Sequence, residues 1–185
     1  MRRRALLVAQ GAAVGLVALL LGLLVWKLVS NQGGDLARAA NDGKLPKAPN
    51  FTLERLDRPG SLELKNLRGK AVAVNFWASW CAPCKQESPY LEQAWARDRR
   101  KGLVVVGVDA NDFRSDARGF MSRYGLTYPV VYDGPGKTLG PWGIKGFPET
   151  YVLDREGRVV DAFVGAIASA DDRVRLRDAI REALG

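Results

Sequence analysis

The chain has no histidine, only two cysteines and only two methionines, Met1 and Met121. Without histidine there can be no Cys–His nucleophilic pair, no His-based metal site and no proximal haem ligand. Two cysteines cannot complete a four-ligand structural zinc site. Lys85 follows the second cysteine, which breaks the C-x-x-C-H pattern of haem attachment. Acidic residues are absent from the first 29 positions, where Arg2, Arg3, Arg4 and Lys27 account for four of the eight net positive charges. The remaining 24 basic and 20 acidic residues are interspersed, with none of the basic striping that binds nucleic acid. No metal, cofactor or nucleic acid is therefore expected. What is present is a single Cys81-Ala-Pro-Cys84 pair.

Ala5 to Trp26 carries no charge, and Gln10 is its one clearly polar residue. As a helix it would span about 33 Å, against a hydrocarbon core of about 30 Å. The three arginines before it keep the N-terminus cytoplasmic by the positive-inside rule. Residues 1–29 thus read as a signal-anchor, a single transmembrane helix of the cytoplasmic membrane that leaves the rest on the extracytoplasmic, periplasmic side. A cleaved secretory signal is the alternative. Its apolar region would be shorter, and Ala37-Arg38-Ala39 stands far beyond the run. Residues 30–47 are rich in Gly, Asn, Asp, Lys and Pro without sustained periodicity and read as a linker. Residues 48–185 read as one domain.

Within that domain 51–56 is a candidate short strand. The apolar, β-prone run 71–77 and the valine run 103–108 predict buried strands. Helices are predicted over about 82–100, over 114–124, and from Ser169 with Asp172 at capping-box spacing. Val130–Tyr132 reads as a brief strand, and 133–148 as a Gly/Pro-rich stretch. A hairpin is predicted over 150–164, turning at Asp154-Arg-Glu-Gly157. The order β-α-β-α-β-β-α after an N-terminal extension implies an α/β sheet covered on both faces.

The pair lies where strand 71–77 gives way to a helix. Unpaired N–H groups and the helix dipole there favour an anion, so Cys81 is expected to be an activated thiolate nucleophile. Pro83 falls in the first turn, where a missing N–H costs little. Cys84, three residues on, shares the face and can attack a mixed disulfide on Cys81. The two sulfurs are expected to be partly exposed, as reactive groups. The same helical face continues through Glu87, Ser88, Leu91, Ala94 and Trp95. A carboxylate one turn from a thiol on a core face is expected to have a raised pKa and to move protons during exchange. Alternatively Glu87 is a boundary residue reaching solvent or Lys85.

The segment Phe76-Trp-Ala-Ser-Trp-Cys-Ala-Pro-Cys-Lys85, with Pro89 beyond it, resembles the active site of the thioredoxin superfamily. It is closest to the membrane-anchored TlpA/ResA-like thiol–disulfide oxidoreductases of cytochrome c maturation. Ala48-Pro-Asn-Phe51 with Leu67-Arg-Gly-Lys70 resembles that branch's N-terminal extension, and Gly143-Ile-Lys-Gly-Phe-Pro-Glu-Thr150 its cis-proline loop. The resemblance implies a thioredoxin-like fold with an inserted strand–helix unit within 78–125. It implies a redox-active Cys81–Cys84 disulfide, a cis Pro148, and substrate contacts from Trp80, Phe147 and Pro148. Asn75 stands where cytosolic thioredoxins carry a buried aspartate, which turns attention to Glu87 as the acid/base group. Glu149 either adds charge near the site or is an edge glutamate.

These features predict a membrane-tethered, monomeric protein-disulfide reductase. The implied substrate is an oxidised protein such as apocytochrome c, and the implied electron donor is a membrane-embedded thiol carrier. A C-x-x-C pair could instead hold Cu(I) or serve copper-site maturation. A thiol peroxidase is disfavoured because no lone peroxide-reactive cysteine stands in a proline–threonine setting. A purely structural disulfide is disfavoured because so short a loop stabilises little. Reductant and oxidant roles are not distinguished by the residues alone.

Overall fold

The computed structural model describes residues 15–23 and 34–185. The chain divides into two units, residues 1–32 and 33–185. Residues 15–23 form a helix, α1, whose leucines are exposed. Most of the apolar run read as an anchor lies outside the described residues. Among those described, no helix is long and apolar enough to cross a membrane.

The larger unit is a seven-stranded mixed sheet covered on both faces, a thioredoxin-like α/β fold. Its elements run α2 (Asp35–Asn41), β1 (Thr52–Arg55), β2 (Ser61–Glu63), β3 (Ala71–Trp77), α3 (Ala82–Asp98), β4 (Leu103–Ala110) and α4 (Arg114–Tyr124). They continue β5 (Val130–Asp133), α5 (Leu139–Trp142), β6 (Glu149–Leu153), β7 (Val159–Val164) and α6 (Ala170–Leu184). The strand order is β2-β1-β5-β4-β3-β6-β7. Only the central β3–β4 and β4–β5 pairs are parallel.

Every residue of β3 and β4 is buried, which is why both read as largely apolar runs, broken only by Asn75 and Asp109. Side chains alternate across the sheet. Ala71, Ala73, Trp77, Leu103 and Val105 pack on the layer that holds the dithiol, beneath α3, α4 and α6. Val72, Val74, Phe76, Val104, Val106 and Val108 face the other layer, with Phe51, Leu62 and Trp142. A Cβ on Gly107 would lie 2.8 Å from Trp77 Nε1. The missing side chain there lets the indole lie flat on the sheet just before the dithiol.

Two expectations are corrected. Of residues 30–47, read as a linker before a domain starting at 48, 30–33 lie outside the described residues and 34–47 are built into the domain. Helix α2 buries Ala37 and Ala40 in the core, and Asn41 Oδ1 accepts hydrogen bonds from the Ala162 N–H (3.1 Å) and from Arg175 (3.3 Å). This seven-residue helix buries only small alanines, so it shows no apolar stripe. The stretch 133–148 likewise contains one helical turn, α5, which buries Trp142.

Candidate active site

Cys81 is the N-cap of α3, and its Sγ accepts the Cys84 N–H at 3.2 Å. The sulfurs are joined in a disulfide across a Cα–Cα distance of 5.3 Å. Pro83 lies in the first turn, where no helical acceptor needs its N–H. The sulfurs are less exposed than the sequence reading expects: Cys81 is 4 % and Cys84 1 % accessible. Both belong to the core cluster of Trp77 and Ala78, with Phe147 packed against it.

Glu87, one turn after Cys84, is 1 % exposed. It reaches neither solvent nor Lys85. Oε1 accepts the Asn75 side-chain N–H at 2.7 Å, and Oε2 accepts the Ile167 backbone N–H at 3.1 Å. Asn75 also donates to Thr150 Oγ1 at 3.0 Å. One chain of hydrogen bonds therefore links β6, β3, α3 and the segment before α6. Burial pushes the Glu87 carboxyl up to about 7, against the two hydrogen bonds, which pull it down. Asn75 holds Glu87 through an amide and cannot itself take a proton.

The Phe147–Pro148 bond is cis. The Pro148 carbonyl accepts from Gly165 N–H at 3.0 Å. The Phe147 ring stands 5.7 Å from that of Trp80, which is 62 % exposed. Glu149 is not an edge residue. It is buried, and its carboxylate accepts the Lys145 N–H at 3.0 Å and the Tyr151 hydroxyl at 2.8 Å. It fastens the approach to the cis-proline. Trp80, Phe147 and the dithiol thus come together, with Glu87 beneath on α3.

Asp112, which the sequence reading passes over, also belongs here. Its Oδ2 accepts the Ser79 N–H at 2.5 Å, and the Trp80 indole donates to the Asn111 carbonyl at 3.0 Å. The loop after β4 therefore clasps the residues leading into Cys81. An acidic residue just before a predicted helix is the only signal the sequence offered, and it does not indicate a partner 33 positions away.

A family model described as "AhpC/TSA family" matches residues 46–162. The chain belongs to the AhpC/TSA family. ResA, a thiol–disulfide oxidoreductase of Bacillus subtilis (strain 168), is 36 % identical over 124 residues, 66 % of this chain and 68 % of that protein. A structure described as a proposed thiol:disulfide interchange protein DsbE from Chlorobium tepidum aligns with a TM-score of 0.70 at 35 % identity. It covers 76 % of this chain and 96 % of that one. A secreted thiol-disulfide isomerase from Corynebacterium glutamicum aligns at 0.65 with 28 % identity, covering 74 % and 84 %. This AhpC/TSA-family chain is accordingly a protein thiol–disulfide oxidoreductase with a thioredoxin-like fold.

Proposed function

We propose that this oxidoreductase works as a reductant outside the cytoplasmic membrane, held there by residues 1–29, and acts as a monomer. The reading of 1–29 as an anchor rests on the length of the apolar run and the three preceding arginines. The secreted relative supports the compartment. The reduced Cys81 thiolate attacks a substrate disulfide, forming a mixed disulfide and expelling one substrate thiol. Cys84 then attacks the Cys81 sulfur, releases the second substrate thiol and leaves the Cys81–Cys84 disulfide. Two electrons pass to the substrate. A membrane-embedded thiol carrier restores them. Trp80, Phe147 and Pro148 contact the substrate chain.

The observation that carries this reading is a Cys81–Cys84 disulfide capping the N-terminus of α3, with the buried, hydrogen-bonded Glu87 carboxyl one helical turn after Cys84. Glu87 handles the protons that the thiols gain and lose. The substrate favoured by the likeness to ResA is an apocytochrome c whose haem-binding cysteines have been oxidised. Tethering concentrates donor, enzyme and substrate on one surface.

Cys84→Ser, expressed in cells, should accumulate mixed disulfides through Cys81. Recovery of cytochrome precursors supports the substrate, and a trapped set lacking them defeats it. Equilibration with glutathione measures the potential. A value near about −120 mV, typical of strong periplasmic oxidants, would overturn the reductant role.

A further inference from the structure

Phe113 is 76 % exposed and makes no ring contact among the described residues. A single exposed aromatic is ordinary, but the backbone that carries this one is tied to the segment entering Cys81. Asp112 accepts the Phe113 N–H through Oδ1 at 2.7 Å and the Ser79 N–H through Oδ2 at 2.5 Å. One carboxylate thus ties Phe113 to the segment entering Cys81. The neighbouring Asn111 carries the Trp80 indole and has φ +54°, a left-handed conformation that asparagine tolerates. Tyr132 donates its hydroxyl to the Asp112 carbonyl at 3.0 Å, which secures the loop from β5. Trp80 is therefore bracketed by Phe147 on one side and the Asn111–Phe113 loop on the other.

Beyond Phe113 a cleft of about 200 Å³ opens between the start of α3 and α4, lined by Ser79 and Lys85 on one wall and Asp116, Gly119 and Arg123 on the other. A Cβ on Gly119 would meet nothing within 4 Å, so this wall is open space. The cleft begins at Ser79, two residues from Cys81.

We propose that Phe113 and this cleft form a subsite for the substrate polypeptide. Phe113 and Trp80 receive an apolar side chain next to the substrate cysteine, and the flanking backbone lies along α4. This rests on the reductive reading above. An exposed aromatic on an anchored loop is a typical binding anchor. The subsite makes the enzyme select disulfides with an apolar neighbour.

The test uses the reduced full chain with three probes: glutathione disulfide, and two glutathionylated hexapeptides differing only in Phe or Ser beside the cysteine. In each reaction the protein dithiol is oxidised to the disulfide, and the probe disulfide is reduced to two thiols. The wild type should prefer the Phe peptide, and Phe113→Ser should reduce that preference about tenfold. Gly119→Trp, whose Cβ meets nothing within 4 Å and whose ring would occupy the cleft, should lower both peptide rates relative to glutathione disulfide. Melting curves of both variants should match the wild type, because neither site is buried. Unchanged peptide preference in Phe113→Ser together with unchanged peptide rates in Gly119→Trp would overturn the subsite alone. No reaction of the wild type with any probe would overturn the reductive reading and the subsite with it.

Discussion

Two buried carboxyls stand on the same side of the sheet and meet opposite treatment. Glu87 on α3 has two N–H donors, from Asn75 and Ile167. Asp109 lies near the end of β4, opposite Trp77 in the parallel register. It is fully buried, and neither oxygen is met by an N–H or O–H donor among the described residues. Burial, then the nearby Asp112 and Asp133 charges, pushes Asp109 up to about 8. Burial raises both carboxyls; donors to the anion restrain the rise at Glu87, and like charges add to it at Asp109.

The largest test of this contrast is Asp109→Asn. A carboxyl whose folded pKa is raised binds its proton more tightly in the native state. Its stabilising contribution is full below the unfolded value, near 4, and is lost as pH rises through about 8. The amide lacks that loss. We expect the variant's advantage over the wild type to grow by up to about 4 kcal/mol between pH 5 and pH 9, read from urea melts at both values. A difference that does not grow between pH 5 and pH 9 would mean that the Asp109 pKa is not raised in the fold. Glu87→Leu should behave in the opposite way near neutrality. It removes the acceptor of two buried N–H groups and should cost about 2 kcal/mol at pH 6. A neutral result would show that Asn75 and Ile167 find other partners.

Glu87 was legible in the sequence and Asp109 was not, for physical reasons. Glu87 sits at i+3 from Cys84, so helical spacing alone puts it on the dithiol face. Asp109 is hidden at the end of a valine run, where period-2 alternation fixes its face but says nothing of its neighbours. The strands β3 and β4 and the helices α3, α4 and α6 were evident because burial on one or two faces leaves a continuous or periodic apolar pattern. Helix α2 escaped because alanines carry no such pattern. The Asp112 clasp escaped because its partners are set by the tertiary path of a loop. The place of Cys81 and Cys84 at a strand-to-helix junction was legible from the run before them, but their near-complete burial was not.

Glu87→Gln keeps the shape and removes the charge, so it isolates the titration. Above about pH 7 the wild-type carboxylate opposes a thiolate at Cys84, and below it the neutral acid does not. The variant should alkylate up to about tenfold faster at pH 8 and equally fast at pH 5, with the inflection near 7 lost from the reactivity profile. Superimposable profiles would remove Glu87 from the proton transfer.

The smallest effect is expected at Glu149, whose carboxylate has two good donors, like that of Glu87, but binds a hydroxyl that can reverse its role. In Glu149→Gln the amide oxygen can keep the Lys145 N–H, and the amide N–H₂ can donate to the Tyr151 oxygen. The Tyr151 hydroxyl then donates to the Trp142 carbonyl, already 3.5 Å away. Every buried polar atom keeps a partner, so the cost should stay below about 1 kcal/mol in a urea melt at pH 7. A loss comparable to that of Glu87→Leu would mean that the negative charge itself, and not the hydrogen-bond count, holds the approach to the cis-proline.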